Sequence, residues 1–400
     1  MIVVFRALLA AGITSTVGLR LAAAAFAAVL VVLACALGDA ARGSLPSVVA
    51  GALAATAGAS PFIEGFTLSG ELVASVLAAA AVLAFLRAEG PHDVAWIAVS
   101  GVAAGSAWMV KQSFFDAALA VLVCLWGSGR RVWVFAAATC APVAAGVLAS
   151  RDPAAWYGDV IGYGLHASGG RSVVARLHEL TSSLAPAGKA LLPVAILAAL
   201  GWRHAPKVAR VWLLFAVAGV VAGGNFHTHY YLQLVVPLAL VAACMELQPV
   251  RRIALAGAAS LVAVLFAVPL WAGTGAAQAH AVWPADRHLL TDSAVARYVA
   301  QHSLPSQRIY VLWAAADVYY LADRRPLSAY MWLRNLQTID GAVARIRRRL
   351  AAGDAELVVV AQPPALADPS GRTTAVLHRR YRLVANVQNV RIYRLRHSPG

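Results

Sequence analysis

Apolar residues in this chain fall in long unbroken runs, among them Arg20 to Leu37, Leu72 to Leu86, Val132 to Leu148, Val208 to Val221 and Ile253 to Leu270. Each is close to the roughly 20 residues a helix needs to cross a bilayer. No alternation with a period of two marks the strands of a membrane barrel, so the runs must satisfy their backbones as helices. Counted from Arg20 at ~20 residues per span, the pattern predicts about ten transmembrane helices. The stretch 1–19 reads as the remnant of an external loop, or as a partial membrane helix that would make an eleventh span.

After Trp271 the pattern changes. Residues 20–272 form the expected membrane domain, and 285–400 read as a soluble α/β domain. Its strand candidates are RIYVLWA (Arg308 to Ala314), ELVVVAQ (Glu356 to Gln362), YRLVANV and VRIYRLR. Between them lie helix candidates at DVYYLAD and from Asp340 to Leu350. Strands alternating with helices predict a small sheet covered by helices.

Composition supports this reading. Hydrophobic residues make up 60% of the 400 residues, charged ones 13%, and mean hydropathy is +0.70, far from a soluble globular balance. The four cysteines lie inside apolar runs without paired spacing, against a disulfide framework or a zinc site. The opening MIVVFRALLAAGITSTVG lacks the polar start of a signal peptide and is read as mature sequence. The net charge of +15 is concentrated in arginines of the last domain. They fit attraction to lipid headgroups or acidic glycans, or equally a solvated basic face. No nucleic-acid partner is expected.

Basic loops set the expected orientation. Arg42, Arg87, Arg130-Arg131, Arg203 to Arg210 and Arg251-Arg252 alternate with less basic connections and are expected to face the cytoplasm. The connections Pro61 to Gly70, the Lys111 turn, Ser150 to Gly188 and everything after Trp271 then lie outside. That places the protein in the cytoplasmic (inner) membrane, multi-pass, with its C-terminal domain extracytoplasmic.

Ionisable groups within a membrane domain are costly and mark function. On the expected outer side gather Arg20, Glu64, Glu71, Lys111, Gln112, Asp116, Asn225, His227, His229, Tyr230, Tyr231 and Gln233. In PFIEGFTLSGELV, Ser69 can cap a helix whose first turn holds Glu71, where the dipole favours an anion. Glu64 has no such helix-start role and is a candidate to bind a sugar hydroxyl or a metal. Lys111 can snorkel to headgroups or pair with a lipid phosphate. Gln112 and Asp116 are one helical turn apart and could share a hydrogen bond. In NFHTHYYLQLVVPLAL, His229 and Gln233 share a helix face by i,i+4 spacing, and Pro237 is expected to bend the helix below them. The tyrosines also suit an interfacial aromatic belt. The histidines lack the ligand spacing of a metal site.

These residues resemble the membrane glycosyltransferases of the GT-C superfamily, in the family 39 or protein O-mannosyltransferase-like group that includes aminoarabinose-transferase-like proteins. The likeness rests on GLRLAAAAF, PFIEGFTLSGEL, GVAAGSAWMVKQSFF and NFHTHYYLQLVVPLAL, with QRIYVLWAAADVYYLADRRPLSAY similar to the external domain such proteins carry. It implies transfer of a sugar, with inversion, from a polyprenyl-phosphate-linked donor to a glycan, lipid or protein acceptor at the outer membrane face. Lys111, Gln112, His227, His229, Tyr230, Tyr231 and Gln233 would then hold the donor, Glu64 and Glu71 would be the catalytic carboxylates, and Arg20 would stand at the rim. No cofactor is required by this reading, although a divalent cation is compatible with it.

The family's essential aspartate is expected in a first external loop preceding GLRL. Met1 to Val17 contains no acidic residue, which suggests a start set too late or a truncation. Two alternatives stay open: a catalytically inactive assembly partner of the same fold, and a transporter or flippase for a lipid-linked sugar.

Overall fold

The computed structural model describes residues 2–88, 93–163, 172–222, 224–283, 286 and 288–396. The chain divides into two compact units, Met1–Ala272 and Gly273–Gly400.

The described residues of the first unit are helical, with no strand among them. In chain order its α-helices are α1 (Ile2–Ala10), α2 (Thr16–Arg42), α3 (Ser44–Gly58), α4 (Gly70–Leu86), α5 (Asp93–Val110), α6 (Asp116–Leu125), α7 (Arg130–Ser150), α8 (Pro153–Tyr157), α9 (Val173–Gly201), α10 (Lys207–Ala222), α11 (Val235–Ala243) and α12 (Pro249–Trp271). Serines start three of them. Ser15, Ser69 and Ser172 accept hydrogen bonds from the backbone N–H of Gly18, Leu72 and Ala175 at 3.0, 3.2 and 3.2 Å, satisfying amides that a helix start leaves open.

Five helices, α2, α5, α7, α9 and α12, are long and apolar enough to cross a membrane. The others are shorter, so the expectation of ten or eleven even spans becomes five long apolar helices with shorter ones between them. Turns cause the shortening: Ser60-Pro61 ends the α3 segment, and Gly127 at φ +83° stops the chain just after α6. Of the shorter helices, α4 and α11 are the most enclosed. Every residue of α11 is buried, whereas the long helices expose much of their surface, as helices facing lipid do.

Small residues let these helices approach. A side chain at Gly105 would strike the Thr139 carbonyl of α7, and one at Gly201 the Val241 carbonyl of α11. This is how helices pack where lipid removes the usual hydrophobic drive. The expected external loop from Ser150 to Gly188 is largely helical instead. α8, a π-helical turn (Gly158–Gly162) and the first half of α9 occupy its described residues, because Ser172 caps a run that propagates through Pro186 and Pro193.

The second unit contains α13 (Gly275–Val282), α14 (Asp292–Gln301), β1 (Arg308–Val311), α15 (Asp317–Ala322), β2 (Arg325–Pro326), α16 (Leu333–Thr338), α17 (Ala342–Ala352), β3 (Leu357–Val360), α18 (Arg372–Arg380), β4 (Tyr381–Val387) and β5 (Val390–Leu395). The sheet order is β2-β1-β3-β5-β4. β1 runs parallel to β2 and β3, while β5 is antiparallel to β3 and β4. Gln388 and Asn389, at φ +48° and +69°, turn the β4–β5 hairpin, as a two-residue turn matched to strand twist requires.

Alternation along the central strands explains the layering. Tyr310, Leu312, Val358 and Val360 pack with Ile346, Leu350, Val376 and Leu377 on one face. Ile309, Val311, Leu357 and Val359 pack with Val295, Val299, Val318 and Tyr319 on the other. Both faces are covered, so these strands read as continuous apolar runs. Arg324 locks the layer of α14 and α15. Its guanidinium donates to the carbonyls of Ala300, Ser303, Ala322 and Asp323 at 2.6–2.9 Å and to Ser303 Oγ at 2.8 Å.

Candidate functional site

Three segments of the membrane unit meet around a cluster of charge. The first is the loop between α3 and α4. Ser60 Oγ accepts from Phe62 N at 3.4 Å and starts a 3₁₀ turn, Pro61–Ile63. Glu64 follows at φ +56°, and a side chain at Gly65 would collide with the Gly58 carbonyl, so the loop folds tightly against the end of α3. Backbone strain of this kind needs support from its surroundings. Here Thr67 Oγ1 and N both donate to the Glu64 carbonyl, at 2.8 and 3.0 Å. Glu71 lies in the first turn of α4, behind the Ser69 cap, and is 3% exposed.

The second segment is the end of α5, where Lys111 N donates to the Ala107 carbonyl at 3.0 Å. A cation there suits the negative end of the helix dipole. The third is a 3₁₀ turn, Thr228–Leu234, that leads into α11.

Their side chains form a compact group. Lys111 Nζ stands 2.6 Å from Glu71 Oε1 and 4.3 Å from the centre of the Tyr230 ring. At this separation the contact is a short charge-assisted one. His229 lies between the two carboxylates, with Nδ1 3.3 Å from Glu64 Oε1 and Nε2 3.7 Å from Glu71 Oε1. Thr228 Oγ1 donates to Glu64 Oε1 at 2.5 Å. The rings of His227 and His229 stack at 5.5 Å, and Tyr230 meets both edge-on. Two carboxylates therefore share a lysine and a histidine in a partly dry setting, where charges interact more strongly than in water. Arg20 sits with its guanidinium 5.8 Å from the ring of Phe66, in the same α3–α4 loop. Lys189 of α9 covers Phe62 at 4.8 Å.

Other expected members are placed elsewhere. Gln112 is exposed on a turn, and Asp116 instead accepts from Trp212 Nε1 at 2.9 Å, fully buried. The chain leaves helical geometry between Lys111 and Asp116, so i,i+4 spacing does not bring the two together. His229 and Gln233 also separate. Their segment is 3₁₀, with three residues per turn, and Gln233 Nε2 donates to the Ser113 carbonyl at 3.0 Å beside Gly219, where an added side chain would strike both groups. Tyr231 turns away to share a 2.8 Å hydrogen bond with Ser183. Pro237 is the third residue of α11, a position whose N–H the helix does not use.

Thr228 is the member that sequence reasoning missed. Its partner Glu64 is 164 positions away, and a threonine between two histidines looks like a spacer. Among the described residues no group of three or more His, Cys, Asp or Glu could hold a metal ion.

No protein-family model matches the sequence, and no curated protein does. Solved structures do. ArnT from Cupriavidus metallidurans bound to undecaprenyl phosphate aligns over 94% of this chain and 83% of its own, at 14% identity, with a TM-score of 0.60. Its apo form aligns over the same shares at 14% identity, with a TM-score of 0.44. The chain is a multi-pass helical membrane protein with the fold of ArnT.

Proposed function

We propose that this protein is a membrane glycosyltransferase that takes a sugar from a polyprenyl-phosphate donor at the Lys111–Glu71–His229–Glu64 cluster. The observation that carries the reading is the placement of one lysine and one histidine against two carboxylates where α4, α5 and the 228–234 turn converge. The likeness to ArnT, whose structure contains undecaprenyl phosphate, supports it.

Each side chain has a role in that chemistry. Lys111 retains N–H donors beyond its contact with Glu71, and with His229 it would hold the donor phosphate. The Tyr230 ring faces the lysine and fixes its direction. Glu64, bound by Thr228 and His229, would accept the proton of the acceptor hydroxyl as its oxygen attacks the sugar carbon opposite the phosphate. The bond from carbon to phosphate oxygen breaks, its electron pair passing to the phosphate, where Lys111 and His229 offset the developing charge. Glu71 would orient Lys111, and Arg20 beside Phe66 would meet the carrier lipid at the rim. By the basic-loop topology the cluster would face the outer leaflet and the C-terminal unit would be extracytoplasmic.

The test uses the full chain in lipid nanodiscs. Undecaprenyl phosphate binding is expected to weaken at least tenfold in Lys111→Ala and His229→Ala, equivalent to ~1.4 kcal/mol. Unchanged binding by folded variants rejects the assignment. Binding without sugar transfer to any acceptor fraction favours the alternative, an inactive partner that grips the same carrier.

A further inference from the structure

We infer that the cleft between α17 and α18 seats the phosphate groups of anionic membrane lipids. This rests on the C-terminal unit alone and is independent of the transfer chemistry above. The cleft has a volume of about 270 Å³ and is lined by Arg347, Arg348, Ala351, Arg372, Ala375, Val376 and Arg379.

Helix geometry builds it. α17 turns Ala342, Ile346 and Leu350 into the core, and α18 turns in Thr373, Val376 and Leu377. The flanking positions are left at the surface: Arg347 and Arg348 on α17, and Arg372 and Arg379 two turns apart on α18. Ala351 and Ala375 line the cleft between them with short side chains, which leaves it open to an anion.

Charge is the second observation. Arg347 donates to Asp368 Oδ2 at 3.0 Å, and that carboxylate also accepts from Ser370 Oγ and from Thr373 N and Oγ1. Its capacity is taken up. Among the described residues no carboxylate lies in ion-pair reach of Arg348, Arg372 or Arg379. Three like charges facing one cleft repel one another, and a bound anion relieves that repulsion. The planar guanidinium is suited to phosphate oxygens.

The source of the phosphate follows from the tether. The chain from Trp271 to Asp292 joins this unit to the last long apolar helix, which holds it near a bilayer surface, where headgroup phosphate is abundant. Each arginine near an anionic surface strengthens attachment by roughly fivefold, and three together by about 100-fold.

The experiment reconstitutes the full chain in nanodiscs of phosphatidylcholine, with or without phosphatidylglycerol, and follows arginine modification by an arginine-specific dicarbonyl reagent with mass spectrometry. Phosphatidylglycerol is expected to slow modification of Arg348, Arg372 and Arg379 about tenfold, and to leave Arg382, exposed on β4, unchanged. In Arg348→Ala the protection of Arg372 and Arg379 should fall. Equal protection of Arg382 would indicate a diffuse basic surface and overturn the site. Lack of any dependence on phosphatidylglycerol would also overturn it. Matching protection by millimolar inorganic phosphate in phosphatidylcholine discs would make the ligand a soluble anion and overturn the lipid assignment.

Discussion

The membrane unit and the C-terminal unit handle charge in opposite ways. In the first, Lys111, Glu71, Glu64 and His229 are drawn from segments far apart in the chain and meet in one group. In the second, most arginines are exposed, and four of them line the α17–α18 cleft. The difference follows from the solvent each sequence is built for. A lone ion within a bilayer costs several kcal/mol, so charged groups there persist beside partners. An arginine on a surface in water costs little, and its presence carries correspondingly little information. Arg324 stands between the two cases: it belongs to the C-terminal unit, but is 9% exposed and ringed by carbonyls.

Four changes would break or sharpen this contrast. The largest effect is expected at the Lys111–Glu71 pair. Glu71→Ala leaves the lysine facing only a ring and a histidine, and should cost ~3–5 kcal/mol of membrane-unit stability, measured by thermal unfolding in detergent. A loss below ~1 kcal/mol would mean the pair is solvated like a surface bridge. Next comes Arg324→Met, which orphans the carbonyls at the ends of α14 and α15. It should lower the local stability of the C-terminal unit by ~3 kcal/mol in hydrogen exchange, with the membrane helices unaffected.

Asp292 provides a pH-dependent case. Burial, then repulsion from Asp317, with which it shares a hydrogen bond, and from Asp286, raise its carboxyl above the ordinary 3.8, while Thr291 donates and opposes the rise. The native state thus keeps a proton that the unfolded chain releases. Stability from this group is complete below pH ~4 and declines as pH rises through the native titration. Asp292→Asn should flatten that decline in a pH series of unfolding midpoints; an unchanged slope would place its cause elsewhere. The smallest effect is expected at Arg349–Asp354, 2.9 Å apart but about two-fifths exposed. Asp354→Asn should change stability by less than ~0.5 kcal/mol.

How legible each region was in the sequence follows the same division. β1, α15, α17, β3, β4 and β5 coincide with the runs read from periodicity, since alternation and helical spacing are local properties. Glu71 behind its serine cap was legible for the same reason. The pairing of Gln112 with Asp116 and of His229 with Gln233 was misread because both inferences assumed α-helix across segments that are a turn and a 3₁₀ helix. Thr228 was hidden because its role depends on Glu64, which is distant in sequence.

By itself the sequence determined that the chain would be a multi-pass helical membrane protein ending in a mixed α/β part, and which few ionisable residues would be costly within a membrane. Hydrophobic content and local periodicity suffice for that, because each residue's transfer energy is its own. The tertiary structure alone decided which helices are enclosed by the others and which charges meet. Those outcomes depend on contacts between distant segments, such as Glu64 with Thr228 and His229, or Lys111 with Glu71.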